Sequence, residues 1–339
     1  MIETKRGGSA LPGVARNDRF TVVLTGSYYR ESDRVAAALA DIAEVVIAEA
    51  ASREELVRLL LPADALLTDI APVDVELLAQ LPKLKAVVVM GVGTDNIDLA
   101  AAKRHGVAVS NSPAAYSTPV AEHAIALLLT LMRNVAVAND DIKRMQVWDT
   151  YGDRYRAVEV RGKTLGLMGF GRIGRETARI ASGIGMRTIA YDPLFQPGSA
   201  AASAHPLIGF KTSVDELLSE SHAVSLHLPL GPSTRNLMDR RRLALMRPGS
   251  YLVNVSRGAL IDQVALREAL ASGRLAGAGL DVFAPEPPEW GDSLLRERNL
   301  VLTPHIGWLS ESAPLQCQLD AADEVRRLLM GEPPKYPVA

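Results

Sequence analysis

The chain has 339 residues, 48% apolar and 22% charged, with 37 Lys and Arg against 39 Asp and Glu for a formal net charge of -2. That balance excludes an intrinsically disordered chain, and at roughly 150 residues per domain the length predicts two domains rather than one small module. With no basic excess and no long block of like charge, nothing here is suited to grip nucleic acid or an anionic membrane surface.

Residues 1–19 place Lys5, Arg6, Arg16 and Arg19 among Gly, Ser and Pro without the apolar stretch of a secretory signal, and read as a flexible N-terminal extension. From Phe20 onward, short β-branched runs alternate with segments of helical period: Thr21–Gly26, Asp33–Ala40, Glu44–Ile47, Arg53–Leu61 and Ala65–Thr68. A strand at Leu84–Met90, a helix near Leu99–His105 and a strand at Val107–Asn111 continue the pattern. A βα alternation of this kind implies a parallel sheet covered by helices. One long helix is predicted next, from about Thr118 to Met145, started by Ser117, Thr118 and Pro119. Its apolar window, Ala124 to Met132, is bounded by His123 and Arg133 and is too short for a membrane span.

A second series supplies strands at Thr164–Met168, Arg187–Tyr191, Ala223–Leu228, Ser250–Val255, Ala276–Val282 and Leu300–Leu302, and a last helix over about Ser312 to Met330. Two α/β units with parallel sheets are therefore expected. The single cysteine, Cys317, permits neither an intramolecular disulfide nor a metal site of paired thiolates, which fits a reducing compartment. The expectation is a soluble, cytoplasmic protein with no metal.

Gly169-Phe170-Gly171-Arg172-Ile173-Gly174 falls between the predicted strand Thr164–Met168 and a helix running to Ile184. In that setting the first glycine permits a tight turn and the second lets backbone amides approach a pyrophosphate. The third lets helix pack on strand, while the helix N-terminus favours the phosphate charge. Asp192 lies eighteen residues after Gly174, at the end of the next strand, where a carboxylate can accept from the ribose hydroxyls and repel a 2′-phosphate. NAD is expected, and NADP is disfavoured by Asp192.

Three further segments each set a polar residue just past a strand of the second series, on the edge where parallel sheets bind ligands. Arg257 follows Asn254-Val255-Ser256, Glu286 stands between prolines in Asp281-Val282-Phe283-Ala284-Pro285-Glu286-Pro287-Pro288, and His305 belongs to Thr303-Pro304-His305-Ile306-Gly307-Trp308. Singly, each has a plainer reading as a surface ion pair, a loop acid or a capping histidine. Together they suit reduction of a 2-oxo acid, which needs a carboxylate clamp, a proton donor and an anion that keeps the donor protonated.

With these residues the chain resembles the D-isomer-specific 2-hydroxyacid dehydrogenase family. The phosphate loop, His227-Leu228-Pro229-Leu230, Val253 to Gly258, Asp281 to Pro287 and Thr303 to Gly307 match family motifs in order. The resemblance implies an NAD-binding Rossmann domain, residues 113–304, inserted into a flavodoxin-like substrate domain formed by 20–112 and 305–339. It implies His305 as acid and base, Glu286 as its partner and Arg257 as binder of the 2-oxo acid. Gly169, Gly171, Arg172, Ile173, Gly174, Asp192, Leu228, Pro229, Thr234, Val255, Ser256, Asp281 and His305 would line the dinucleotide. Val92 and Gly93, in Met90-Gly91-Val92-Gly93-Thr94-Asp95-Asn96, would hold the substrate carboxylate by backbone amides, and a homodimer through the cofactor domain is expected.

Trp308 is expected to narrow the substrate pocket, with Tyr116 approaching it. A tryptophan there resembles the hydroxypyruvate or glyoxylate reductases and the C-terminal binding proteins. The latter offer the alternative of an NAD(H)-sensing protein with weak or no turnover. A phosphoglycerate dehydrogenase with a regulatory tail is not expected, because the chain ends about nine residues after the last helix. Formate dehydrogenase is not expected either, since Glu286 stands where that relative has glutamine.

Overall fold

Runs such as Ala86–Val89 and Thr164–Met168 are buried along their whole length, as strands must be when helices cover both faces of a parallel sheet. The computed structural model of the chain describes residues 19–26, 33–151 and 153–338. In chain order the elements are β1 (Phe20–Thr25), α1 (Asp33–Leu39), β2 (Ala43–Ile47), α2 (Arg53–Leu60), β3 (Ala65–Thr68), α3 (Val75–Leu78), β4 (Ala86–Val89), α4 (Leu99–Arg104) and β5 (Ala108–Asn111). There follow α5 (Ser117–Met132), α6 (Val135–Met145), β6 (Thr164–Met168), α7 (Arg172–Gly183), β7 (Arg187–Tyr191), α8 (Ala200–Ser203), β8 (Gly209–Phe210), α9 (Val214–Glu220), β9 (Ala223–Leu226), α10 (Arg240–Leu245), β10 (Ser250–Asn254), α11 (Gln263–Ala271), β11 (Leu275–Leu280), β12 (Leu300–Leu302) and α12 (Ala313–Leu329). Except for Arg19, the extension expected over residues 1–19 lies outside the described residues.

The chain divides into two compact units. One holds the described residues up to Tyr116 together with those from Ser310 onward, and the other is Ser117–Leu309. The crossings fall after Tyr116 and after Leu309, not at Pro113 and His305, so His305 belongs to the second unit. The reason is local: Ile306 and Gly307 both donate backbone N–H groups to Asp281, which keeps this loop with β11.

In the first unit a parallel sheet runs in the order β2-β1-β3-β4-β5, the flavodoxin-like arrangement. Asp74 and Asp98 accept from backbone N–H groups three residues on and so start α3 and α4. After α12 the chain returns to the sheet edge. Val338 donates to the Val109 carbonyl at 3.1 Å, and the buried Glu324 accepts from the Lys335 N–H at 2.9 Å.

In the second unit seven parallel strands run in the order β12-β11-β10-β9-β6-β7-β8. The order reverses between β6 and β9, and a ligand is expected at that point beyond the strand ends. The core is built from Leu226, Leu252, Leu266, Leu280 and their neighbours, with Phe283 at its margin. The single long helix expected from Thr118 to Met145 is instead two helices bent by 63° at a break. Asn134 adopts the left-handed conformation there, with φ 55°, and its side chain donates to the Arg156 carbonyl. Among the described residues no single helix is long and apolar enough to cross a membrane.

Candidate active site

Three adjacent strands, β10, β11 and β12, deliver Arg257, Glu286 and His305 at their C-terminal ends. Each carrier loop is fixed by residues before or inside it. After β10, the buried Asn254 accepts from Ser256 N–H at 3.0 Å and donates to the Arg257 carbonyl at 2.9 Å. Ser256 donates its hydroxyl to the Leu226 carbonyl of β9, and Arg257 Nη1 donates to the Ser256 carbonyl. Gly258 packs against the Phe283 backbone so closely that a Cβ would sit 2.0 Å from the carbonyl carbon. The arginine loop and the glutamate loop are thus pressed together.

The Glu286 carboxylate accepts twice: Oε1 from Phe283 N–H at 2.9 Å and Oε2 from His305 Nδ1 at 2.7 Å. Partial burial pushes this carboxyl up, but the hydrogen bonds from His305 and Phe283 and the charges of His305 and Arg257 outweigh it and leave it below its usual range. With Nδ1 engaged, the His305 ring keeps Nε2 for a second partner, and its side chain is 42% exposed. His305 itself holds a left-handed backbone, φ 56°, unusual for a non-glycine residue.

What holds that backbone is Asp281. Its carbonyl accepts His305 N–H at 2.8 Å, Oδ1 accepts Ile306 N–H at 2.9 Å and Oδ2 accepts Gly307 N–H at 2.8 Å. Oδ1 also accepts the Thr303 hydroxyl at 2.6 Å, and His123 Nε2 stands 2.8 Å from that hydroxyl oxygen. Burial raises the Asp281 carboxyl, yet these donors together hold it below its usual range. The sequence marked Asp281 as a cofactor contact. In the structure its carboxylate is 2% exposed and turned onto the His305 loop. His123 escaped the sequence reading, although a polar residue opening the apolar run of α5 was the available signal. Trp308 closes the same loop by donating its indole N–H to the His305 carbonyl at 2.9 Å.

The three glycines of the Gly169 to Gly174 loop differ in their surroundings. Gly169 has φ 94°, and a Cβ there would meet the His227 carbonyl oxygen at 2.4 Å. A Cβ on Gly174 would meet the Gly169 carbonyl oxygen at the same distance, so helix and turn are in contact. Gly171, by contrast, faces open space at the N-terminus of α7. That opening, backed by the Arg172 and Ile173 end of the helix, fits a pyrophosphate. Asp192 accepts from Phe170 N–H at 2.8 Å and Leu194 N–H at 2.9 Å, which fixes its carboxylate beside the loop.

Leu228 is half-buried, Pro229 exposed and Val255 buried. Thr234 turns its hydroxyl onto its own loop, donating to the Pro229 carbonyl and accepting from Gly231 N–H. His227 also went unassigned in the sequence: its two ring nitrogens are buried with no hydrogen-bond partner among the described residues, and burial lowers it to about 4. Val92 and Gly93 lie in the first unit, in a turn after β4 whose carbonyls at Gly91 and Val92 accept from Ser112 N–H and the Asn111 side chain. Tyr116 is buried in that unit.

Residues 125–307 match the family model described as D-isomer specific 2-hydroxyacid dehydrogenase, NAD binding domain. The chain belongs to this family. The matched stretch lies within the second unit, which is therefore its NAD-binding domain. Among curated D-2-hydroxyacid dehydrogenase relatives, a D-3-phosphoglycerate dehydrogenase of Mycobacterium leprae is 42% identical over 298 residues, 87% of this chain and 55% of that protein. The chain thus spans about half the length of the curated relatives it matches, and they are the group set aside above in favour of the hydroxypyruvate and glyoxylate reductases. Of solved structures, a glyoxylate reductase from Paecilomyes thermophila is 30% identical with TM-score 0.85, covering 94% of this chain and 98% of its own. D-Lactate dehydrogenase from Aquifex aeolicus, solved with NAD and lactic acid, is 27% identical with TM-score 0.80, covering 92% and 96%.

Proposed function

We propose that this chain is an NAD-dependent dehydrogenase interconverting a small 2-oxo acid and its D-2-hydroxy acid. The observation that carries the reading is the 2.7 Å pair between His305 Nδ1 and Glu286 Oε2, next to Arg257 on one sheet edge. Glu286, held as the anion, fixes the proton on Nδ1 and leaves Nε2 to give a proton to the developing alkoxide in reduction and to take it back in oxidation. Arg257 clamps the carboxylate or polarises the carbonyl through its planar donors. NAD supplies the hydride chemistry when bound; Gly169 to Gly174 would hold its pyrophosphate and Asp192 would accept from its ribose hydroxyls. The carboxylate, fixed by two amides, disfavours NADP.

Both the site and the relatives support a small 2-oxo acid as the substrate. Glyoxylate, hydroxypyruvate and pyruvate all present the carboxylate and carbonyl that this constellation binds, and Trp308 limits the side chain. The partner is a second copy of the chain, and the setting is cytoplasmic, where the buried Cys317 stays reduced. The test is oxidation of NADH read at 340 nm with those acids, bulkier 2-oxo acids and, in the reverse direction, D-3-phosphoglycerate. Turnover that His305→Asn abolishes supports the reading. Tight NADH binding without turnover of any of them sinks it.

A further inference from the structure

We propose that His123, on α5, is a positioning residue for His305, acting through Thr303 and Asp281; the inference rests on the active-site reading above. The chemistry fixes the direction of each bond. Asp281 takes N–H groups from Ile306 and Gly307 on its two oxygens, so it is the carboxylate, and the Thr303 hydroxyl 2.6 Å from Oδ1 must donate to it. Its proton spent, Thr303 Oγ1 can only accept from His123 Nε2 at 2.8 Å, so Nε2 carries a hydrogen. A chain of two donations therefore runs from α5 to the carboxylate that holds the loop of the proton donor.

Position supports the same role. His123 Nε2 is itself 3.4 Å from Asp281 Oδ1. Its Cδ2 is 3.2 Å from where a Cβ on Gly307 would stand, so the ring also walls the loop's far side. His305 has a backbone conformation that a non-glycine residue keeps only when its surroundings over-determine it. Asp281 supplies that determination, and His123 with Thr303 orients Asp281. The ring touches neither Glu286 nor the phosphate loop by any bond described, so its removal should affect the reacting geometry and spare binding.

Two variants of the full chain test this. His123→Leu removes the donor, and His123→Gln returns an N–H near the place of Nε2. In His123→Leu, kcat should fall between about tenfold and a hundredfold, the cost of a misplaced reacting group. KM for the 2-oxo acid and the Kd for NADH should stay within about twofold, as for a group felt only in the transition state. His123→Gln should recover most of the lost kcat. Independently of turnover, amide exchange at Ile306 and Gly307, followed by NMR, should quicken in the leucine variant and slow again in the glutamine variant. Unaltered kcat in His123→Leu, a loss that glutamine does not relieve, or unaltered exchange at both amides overturns the inference even where His305 proves essential. Turnover that survives His305→Asn overturns the active-site reading instead.

Discussion

At the scale of single residues, the site depends on which atoms already have partners. His305 Nδ1 is committed to Glu286, which under the proposed function leaves Nε2 as the nitrogen that would exchange the proton. Glu286→Gln leaves a hydrogen-bonding group of the same shape but removes the anion. The alkaline limb of the reduction rate should then move to lower pH and the maximum rate fall by about a hundredfold, the usual worth of a positioned acid. Identical pH profiles for wild type and variant would contradict the role given to the glutamate. The Glu286 carboxyl sits below its ordinary range in the folded protein, so its contribution to stability is present above that range and is lost as pH falls through the lowered value. Asp192 is a second committed group, accepting from two backbone amides. Asp192→Ser should raise the ratio of kcat/KM with NADPH to that with NADH by at least about tenfold, since a hydrogen bond to a charged group is worth about 1.5–3 kcal/mol. An unchanged ratio would show that the carboxylate does not select the cofactor.

At the scale of elements, what was legible in the sequence was whatever rests on local chemistry. The glycine loop, the β-branched runs and the residues just past β10, β11 and β12 could be read because each depends on its neighbours in the chain. The break between α5 and α6 could not, because the left-handed turn at Asn134 is secured by the Arg156 carbonyl, far along the sequence. Gly258 likewise was read only as the last residue of the Val253 to Gly258 motif, although its lack of a side chain is what lets two loops meet. Asp141 is a further case of distant pairing. On α6 it accepts from Arg154, Arg298 and Tyr155, and the Arg154 hydrogen bonds, outweighing burial, lower it to about 2. Its folded value lies below its ordinary value of 3.8, so its contribution to stability is complete above about pH 4 and disappears as pH falls through about 2. Asp141→Asn should lower the Tm at neutral pH, and the gap from wild type should narrow steadily between pH 4 and pH 2. A gap independent of pH would place the loss in packing rather than in the charge.

At the scale of the whole molecule, the two units each have a sheet and a core of their own, and the net charge of -2 gives little self-repulsion to keep copies of the chain apart. Of the long helix predicted from Thr118 to Met145, the first half, α5, is consumed by the core of the second unit, with Leu127, Leu128 and Leu131 buried. The second half is different. Past the bend, α6 and the segment after it leave Ile142, Met145, Trp148 and Tyr151 in solvent, the last two 81% and 99% exposed. Large aromatic and methionine side chains are what the buried centre of a protein interface is made from. Asp141, with its two arginines and tyrosine, anchors α6, the helix that carries Ile142 and Met145. The proposed homodimer should therefore form through this face, and Trp148→Glu combined with Ile142→Glu should convert it to a monomer in sedimentation velocity. Because none of these side chains belongs to the candidate active site, the monomer should still bind NADH. A double variant that sediments as wild type does would move the interface elsewhere on the molecule, and a wild-type monomer at micromolar concentration would remove the dimer altogether.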